Sequence, residues 1–489
     1  MSDYVNIQKA EAQPKASSMI ETFRAIGYSL ETAVADIIDN SISAKAKNIY
    51  INRIWKGGKS VITIKDDGVG MNSSDLIQAM RPGFQNPLDT RETTDLGRFG
   101  LGLKTASFSQ CRKLTVLSKK VDYSSVYWSW DLDYVAATDK WELLKWIPQG
   151  YETELDNQPS GTMVIWTDLD RILSLNTSET DDNAHRKFSE SLDKVKRHIE
   201  MTFHRFIEDK DVKIHWCGHE IKPWNPFCAN ETKTQEKPTD NLYGGVTVKG
   251  YVLPHKNNFS SEQAYKQAEG INGWAAQQGF YVYRGKRLLL AGDWLGLRRK
   301  EECFKLVRIQ IDLPNTLDTD WHIDIKKSRA YPPSKCRDQL ESYAKSVCND
   351  GIAVYKHRGK ILKQRAGMSF QPLWLEKKKD DNWYFVVNRE NPIIQSLKQS
   401  AKDNPEKAIE TLLKFIEESM PTKSVYINEA KSDEKQKTPF SDFDTDVIKG
   451  ILRQMYQNRL DEGLSENQAK SFLKTIEPFN NYEEIIDEL

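Results

Sequence analysis

The chain has no closely paired cysteines, no long apolar run and no excess of charge, and each absence removes a class of function. Its six cysteines (Cys111, Cys217, Cys228, Cys303, Cys336 and Cys348) are scattered through 489 residues. They lack the short pairings of structural zinc sites and disulfide frameworks, so they read as reduced thiols. His215, Cys217, His219 and Cys228 come nearest to a metal cluster, but alternate residues on a short strand that diverge at its turn read as ordinary strand and loop positions. No stretch approaches the roughly 20 apolar residues of a membrane span, and the polar segment Met1 to Ala16 has no signal-peptide core. The expectation is a cytoplasmic protein without membrane contact. The 70 basic and 70 acidic side chains cancel, so no global field recruits nucleic acid; only a local basic patch would.

What remains is a soluble globular composition, 38% hydrophobic and 29% charged, in a chain long enough for several domains. From Ser29 to Lys45 it reads SLETAVADIIDNSISAK, with Val34, Ile37, Ile38 and Ile42 on one helical face. At about 100° per residue, Asp36, Asp39, Asn40 and Ser43 fall on the opposite side. Asp36 and Asn40 are one turn apart, so both reach toward one object. A solvated polar face is the plainer reading of such a helix taken alone.

Two β-rich runs follow, 48–54 and 60–65, separated by Lys56-Gly57-Gly58-Lys59, which predicts a hairpin. The second run leads into Asp66-Asp67-Gly68-Val69-Gly70-Met71. Glycines there let the backbone turn sharply and approach a ligand, and a carboxylate at the strand end can accept a hydrogen bond from an exocyclic amine. Residues 81–96 carry Pro82, Gly83, Asn86 and Pro87 without periodicity and predict a mobile loop. It opens into Gly97-Arg98-Phe99-Gly100-Leu101-Gly102-Leu103-Lys104-Thr105, glycines ahead of a helix start. Free amides, a positive dipole end and the Lys104 charge suit phosphate oxygens. The spacing fits neither a P-loop nor a dinucleotide fingerprint.

ADIIDNSISA, DDGVGM, LGRFGLGLKTAS and SGTMVIWTDLD (160–170), in that order, resemble the superfamily of gyrase, heat-shock chaperone, histidine kinase and MutL (GHKL) ATPases, in its MutL and MORC branch and of bacterial type. The resemblance implies an α+β fold in three parts. Residues 1–178 would be a Bergerat-type α/β sandwich with helices on a mixed sheet. Residues 179–345 would be a transducer domain of ribosomal-protein-like, left-handed βαβ-type fold that includes the strand VKIHW. Residues 346–489 would be mostly helical, with a polar linker at 423–439.

It also implies roles. Asn40 would hold Mg2+, and Asp66 would bind the adenine amino group, supported by Thr162 through water. Gly68 and Gly70 would shape the turn beneath the base, with Met71 beside them. Gly97, Gly100, Gly102, Lys104 and Thr105 would cradle the phosphates of ATP, with Phe99 and Leu101 in the same segment. Lys327, or its neighbour Lys326, would reach the γ-phosphate from the transducer. The general base of the family is a glutamate four residues before the magnesium asparagine; here that position is Asp36, one methylene shorter, which implies slow hydrolysis.

The expected protein is an ATP-gated machine that closes as a homodimer and reopens on hydrolysis, in a DNA-transacting or phage-defence system. The alternative is a nucleotide-gated scaffold with little turnover. A sensor kinase would need a phosphoacceptor histidine upstream, and no histidine precedes His185. The basic run 356–365 would meet DNA phosphate or an acidic partner protein, or simply be wet. Arg284 and Arg287, in a predicted hairpin, read either as partner contacts or as ordinary exposed charges.

Overall fold

Local chemistry starts the first helix of the site where the sequence places it. Ser29 accepts a hydrogen bond from the Thr32 amide at 3.3 Å and caps α2, Leu30–Ser43. Ala33, Val34, Ile37 and Ile38 are buried on its inner face. The computed structural model describes residues 10, 12–84, 102–314, 317, 320–322, 330–356, 374–379, 382–390, 394, 404–422, 424–426, 445–474 and 483–489. The predicted loop and glycine segment from 85 to 101, Lys326 and Lys327, the basic run 357–365 and most of the linker lie outside these residues. The chain forms two compact units, Met1–Gly359 and Lys360–Leu489.

In the first unit, α1 (Ala16–Arg24) and α2 precede the hairpin β1 (Asn48–Ile54) and β2 (Val61–Asp66). Then come α3 (Ser73–Met80), α4 (Gly102–Phe108), β3 (Lys113–Lys119), β4 (Val126–Asp131), α5 (Leu132–Thr138) and β5 (Gly161–Thr167). The chain continues through α6 (Asp182–Thr202) and α7 (His204–Glu208) into β6 (Lys213–Trp216) and β7 (His219–Glu220). These strands form one seven-stranded sheet in the order β4-β3-β5-β2-β1-β6-β7. All its neighbours run antiparallel except β1 and β6, which are parallel. The sheet is therefore mixed, with helices on one face.

The strand VKIHW belongs to this first sheet, not to the next one as expected. Its alternation explains why: Ile214 and Trp216 join the core of Ile49, Ile51, Ile62 and Ile64. The parallel return to β1 uses α6 as the crossover helix. That helix buries Phe188, Leu192, Val195 and Ile199 in the same core, each worth roughly 1.5–3 kcal/mol. On the opposite face of the sheet Val61, Leu117, Met163 and Ile165 are covered by Ile147 and Leu155.

The second sheet contains β8 (Gln235–Glu236), β9 (Asp240–Asn241) and β10 (Thr247–Val252). After α8 (Glu262–Ala268) it adds β11 (Gly279–Arg284), β12 (Arg287–Asp293) and β13 (Val307–Leu313). Its order is β12-β11-β13-β10-β8, with β9 beside β10. Strands β11 and β13 are parallel, and the β11–β12 hairpin occupies the edge. Helix α9 (Ser334–Lys356) lies on this sheet, and the Tyr343 hydroxyl accepts the Gly250 amide at 2.8 Å.

Among the described residues the second unit is mostly helical, as expected, with a two-stranded hairpin, β14 (Trp374–Lys379) and β15 (Asn382–Val387). Its helices are α10 (Pro405–Ser419), α11 (Thr445–Asp461), α12 (Glu466–Lys474) and α13 (Glu483–Asp487). Ile448, Leu452, Leu473 and Ile486 form its core.

If β6 is integral to the first sheet, Ile214→Ala should lower the unfolding free energy by about 2–5 kcal/mol, as other core truncations do. Denaturant titration of the full chain measures this; a loss within experimental error would contradict the assignment.

Candidate nucleotide site

Strand β2 ends with two adjacent aspartates that do different work. Asp67 is a structural staple: its Oδ1 accepts the Lys47 and Asn48 amides at 2.7 and 2.8 Å, and its Oδ2 accepts the Asn48 side-chain amide at 2.7 Å. Asp66 is buried at 5% exposure under α2. Its Oδ1 accepts the Gly68 amide at 2.9 Å and the Thr162 amide at 3.2 Å, while Oδ2 accepts the Ser41 hydroxyl at 2.7 Å. A carboxylate offers about four acceptor sites. Those three bonds leave one lone pair, on Oδ2, suited to an exocyclic amine. Burial raises the Asp66 pKa above the ordinary carboxylate value, against the opposing pull of the Ser41, Gly68 and Thr162 hydrogen bonds.

The glycines beside it are there for space. A Cβ at Gly68 would stand 2.8 Å from the Ala44 carbonyl oxygen and 3.1 Å from Asp66 Oδ1. At Gly70, whose φ is +63°, it would stand 1.8 Å from the Lys119 carbonyl oxygen. The turn is thus pressed between the end of α2 and β3. The amide of Met71 donates to Ser118 Oγ at 2.9 Å, and Ser118 Oγ lies 2.9 Å from Thr162 Oγ1. Thr162 therefore touches Asp66 directly through its backbone amide, while its hydroxyl pairs with Ser118. Gln158 donates to the Asp66 carbonyl at 3.0 Å.

On α2 the two polar positions differ sharply. Asn40 is exposed. Asp36 is buried at 4% exposure and accepts the Tyr28 hydroxyl on Oδ2 at 2.8 Å. Gly102, the first residue of α4, faces the same carboxylate: a Cβ there would be 3.6 Å from Asp36 Oδ2. The structure thereby brings the end of the glycine-rich segment to Asp36. In α4, Thr105 is fully buried and Lys104 is 3% exposed. The Lys104 ammonium donates to the Ala79 carbonyl at 2.9 Å, near the C-terminal end of α3, and burial lowers its pKa to about 8. Its charge is turned toward α3 in this conformation. Gly97, Phe99, Gly100, Leu101, Lys326 and Lys327 lie outside the described residues.

Sequence reasoning missed Ser41, Ser118, Gln158 and Tyr28 as supports. Ser41 alone left a signal, as a polar residue on the apolar side of α2. The reading of Arg287 as an exposed charge or partner contact is corrected: it is buried at 4% exposure, and its guanidinium points into α2.

Among the described residues no three His, Cys, Asp or Glu side chains gather as a metal cage. A magnesium ion carried by a nucleotide needs no such cage, because phosphates and water fill most of its shell. An exposed amide oxygen at Asn40, one turn from the buried Asp36, fits that requirement.

Residues 28–162 match the family model of histidine kinase-, DNA gyrase B-, and HSP90-like ATPases. The chain thus carries an ATPase-family domain of the GHKL class. Within that class its relatives are MutL and MORC ATPases. It is 25% identical over 261 residues to the DNA mismatch repair protein MutL of Shewanella woodyi, covering 50% of this chain and 38% of that one. It is 28% identical over 89 residues to ATPase morc-1 of Caenorhabditis elegans, covering 18% of this chain and 10% of that one. The chain spans well under half the length of these relatives. The ATPase and transducer domains of DNA topoisomerase II from Balamuthia mandrillaris overlay loosely, with a TM-score of 0.38 at 11% identity over 68% of this chain and 86% of that one.

The raised Asp66 pKa has a definite sign. Folding favours the protonated acid, so stability falls as pH rises from the unfolded through the folded pKa. Asp66→Asn removes that slope, and its melting temperature relative to wild type should therefore be higher at pH 7 than at pH 4. The same variant should bind ATP about 10-fold to 100-fold more weakly by calorimetry, the cost of one lost charge-assisted hydrogen bond. Unchanged affinity would remove Asp66 from the site.

Proposed function

We propose that the chain binds ATP with Mg2+ and hydrolyses it slowly, as an ATP-gated conformational machine that closes as a homodimer. The observation that carries this reading is the Asp66 carboxylate, held by Ser41, Gly68 and Thr162 with one acceptor position left, directly beneath the helix that bears Asp36 and Asn40. In this reading Asp66 accepts the adenine amine, and Gly68, Gly70 and Met71 let the base approach the backbone. Asn40 is the protein's ligand to the magnesium ion, which neutralises phosphate charge when bound. Gly97, Phe99, Gly100, Leu101, Gly102, Lys104 and Thr105 surround the phosphates.

Asp36 orients and deprotonates the attacking water. Its Oδ2 already accepts the Tyr28 hydroxyl, so the carboxylate has a fixed direction, which suits a base that must not swing. Lys104 has to leave the Ala79 carbonyl to reach a phosphate, and its lowered pKa is the sign of a charge that gains from a buried anion. Lys327, or Lys326, would bring the second sheet to the γ-phosphate. We assign residues 1–178 and the returning strand β6 to the nucleotide domain, and the second sheet with α9 to the transducer. The helical region beyond would meet DNA or a partner protein, with a role in DNA transactions or antiviral defence. We place the protein in the cytoplasm; no described helix is long and apolar enough to cross a membrane.

The cycle requires that the closed dimer bind ATP more tightly than the open form. Phosphate release with Mg2+ and ATP, alongside size-exclusion chromatography with a non-hydrolysable analogue, tests it. Asp36→Ala should slow release at least about 100-fold while keeping binding, as loss of a general base does. Asn40→Ala should lose magnesium-dependent binding and the dimer shift. Tight binding without release by the wild type would support a nucleotide-gated scaffold instead, and absence of binding would overturn the whole reading.

A further inference from the structure

Among the described residues, Arg287 links the second sheet to the base-bearing helix. Arg287, at the start of β12, donates from Nε to both carboxylate oxygens of Asp39 at 2.8 Å. Its Nη2 stands 3.8 Å from Asp36 Oδ1, and its Nη1 donates to the Leu288 carbonyl at 3.0 Å. Arg287, Asp36 and Asp39 are 4%, 4% and 1% exposed. The Phe203 ring lies 5.7 Å from the guanidinium carbon. The hairpin turn that delivers Arg287 is tied from outside as well: Lys286 contacts Asp209 at 2.6 Å and Asp211 at 2.7 Å, in the segment between α7 and β6.

A buried ion pair is a poor device for stability alone, since desolvation consumes most of the attraction. What it supplies is geometry. The planar guanidinium fixes Asp39 and keeps a positive charge within Coulomb range of Asp36, which is screened little by solvent there. Because β12 is an edge strand of the second sheet, any shift of that sheet against α2 changes the distance from this charge to Asp36.

We propose that Arg287, held by Asp39, is a positioning residue for hydrolysis, which transmits the placement of the second sheet to the Asp36 carboxylate. This rests on the reading of Asp36 as the water-activating base. The site thereby answers to the second sheet without requiring that sheet to touch the nucleotide.

The test measures kcat, equilibrium ATP affinity and melting temperature for the full-length wild type, Arg287→Gln and Arg287→Lys. Arg287→Gln should lower kcat at least about tenfold and leave affinity within about threefold, the pattern of an interaction felt in the transition state. Arg287→Lys, which keeps the charge and the contact to Asp39 but cannot bridge both carboxylates, should fall between them in kcat and melt near wild type. A purely structural tie predicts lowered melting temperature with kcat and affinity unchanged, and that result would overturn the proposal. If Arg287→Gln does not fold, Arg287→Lys decides alone: wild-type kcat overturns, and reduced kcat at wild-type affinity supports. A wild type that binds ATP but releases no phosphate would remove the base reading itself, whereas wild-type turnover retained in both variants would remove only the role of Arg287.

Discussion

Three carboxylates lie buried against or within one helix-on-strand layer, and satisfying them organises the first unit. Asp36 and Asp39 on α2 and Asp66 on β2 are each at most 5% exposed. A buried, unpaired carboxylate costs several kcal/mol, so each must draw a partner from elsewhere in the chain. Asp66 draws Ser41 from α2, Gly68 from the turn and Thr162 from β5. Asp36 draws Tyr28 from the segment before the helix. Asp39 draws Arg287 from the second sheet, across 248 positions of sequence. The distances these partners span tie together elements that packing alone would leave loosely registered.

The apolar part of the design was readable in advance because it is local. Alternation and helical spacing around Val34, Ile37 and Ile38 give a capped helix whose inner face is its core face, and β-rich runs interrupted by Gly57 and Gly58 give the hairpin. Asp66 could be singled out from its twin Asp67 only through the motif, since both sit at the strand end. The structure gives the physical distinction: Asp67 spends its acceptors on the start of β1, whereas Asp66 turns beneath α2.

The long-range part was not readable. Nothing in the residues near Arg287 says that its guanidinium enters α2, because a charged residue beside a hairpin turn is usually solvated. Ser118 and Gln158 carry no local mark either; they matter because β3 and the segment before β5 happen to pass under the turn. The strand VKIHW reads from sequence as part of the second domain, together with the 21-residue helix that precedes it. A parallel partner strand always requires such a crossover, so a long helix followed by a short strand marks continuation of a sheet as readily as the start of another.

Asp36, which we propose as the base, fits this picture. A shorter side chain cannot advance toward a nucleotide without leaving its own helix, and the Tyr28 hydroxyl bond to Oδ2 holds it close to that helix. A Cβ at Gly102 would meet the same oxygen at 3.6 Å, an ordinary van der Waals contact. Direction at Asp36 is imposed by Tyr28 on one side and by the nearby Arg287 charge on the other. A glutamate there would have more reach and more rotamers to lose on burial; the aspartate exchanges reach for a fixed direction, and so depends more heavily on how its neighbours, including those from the second sheet, are placed.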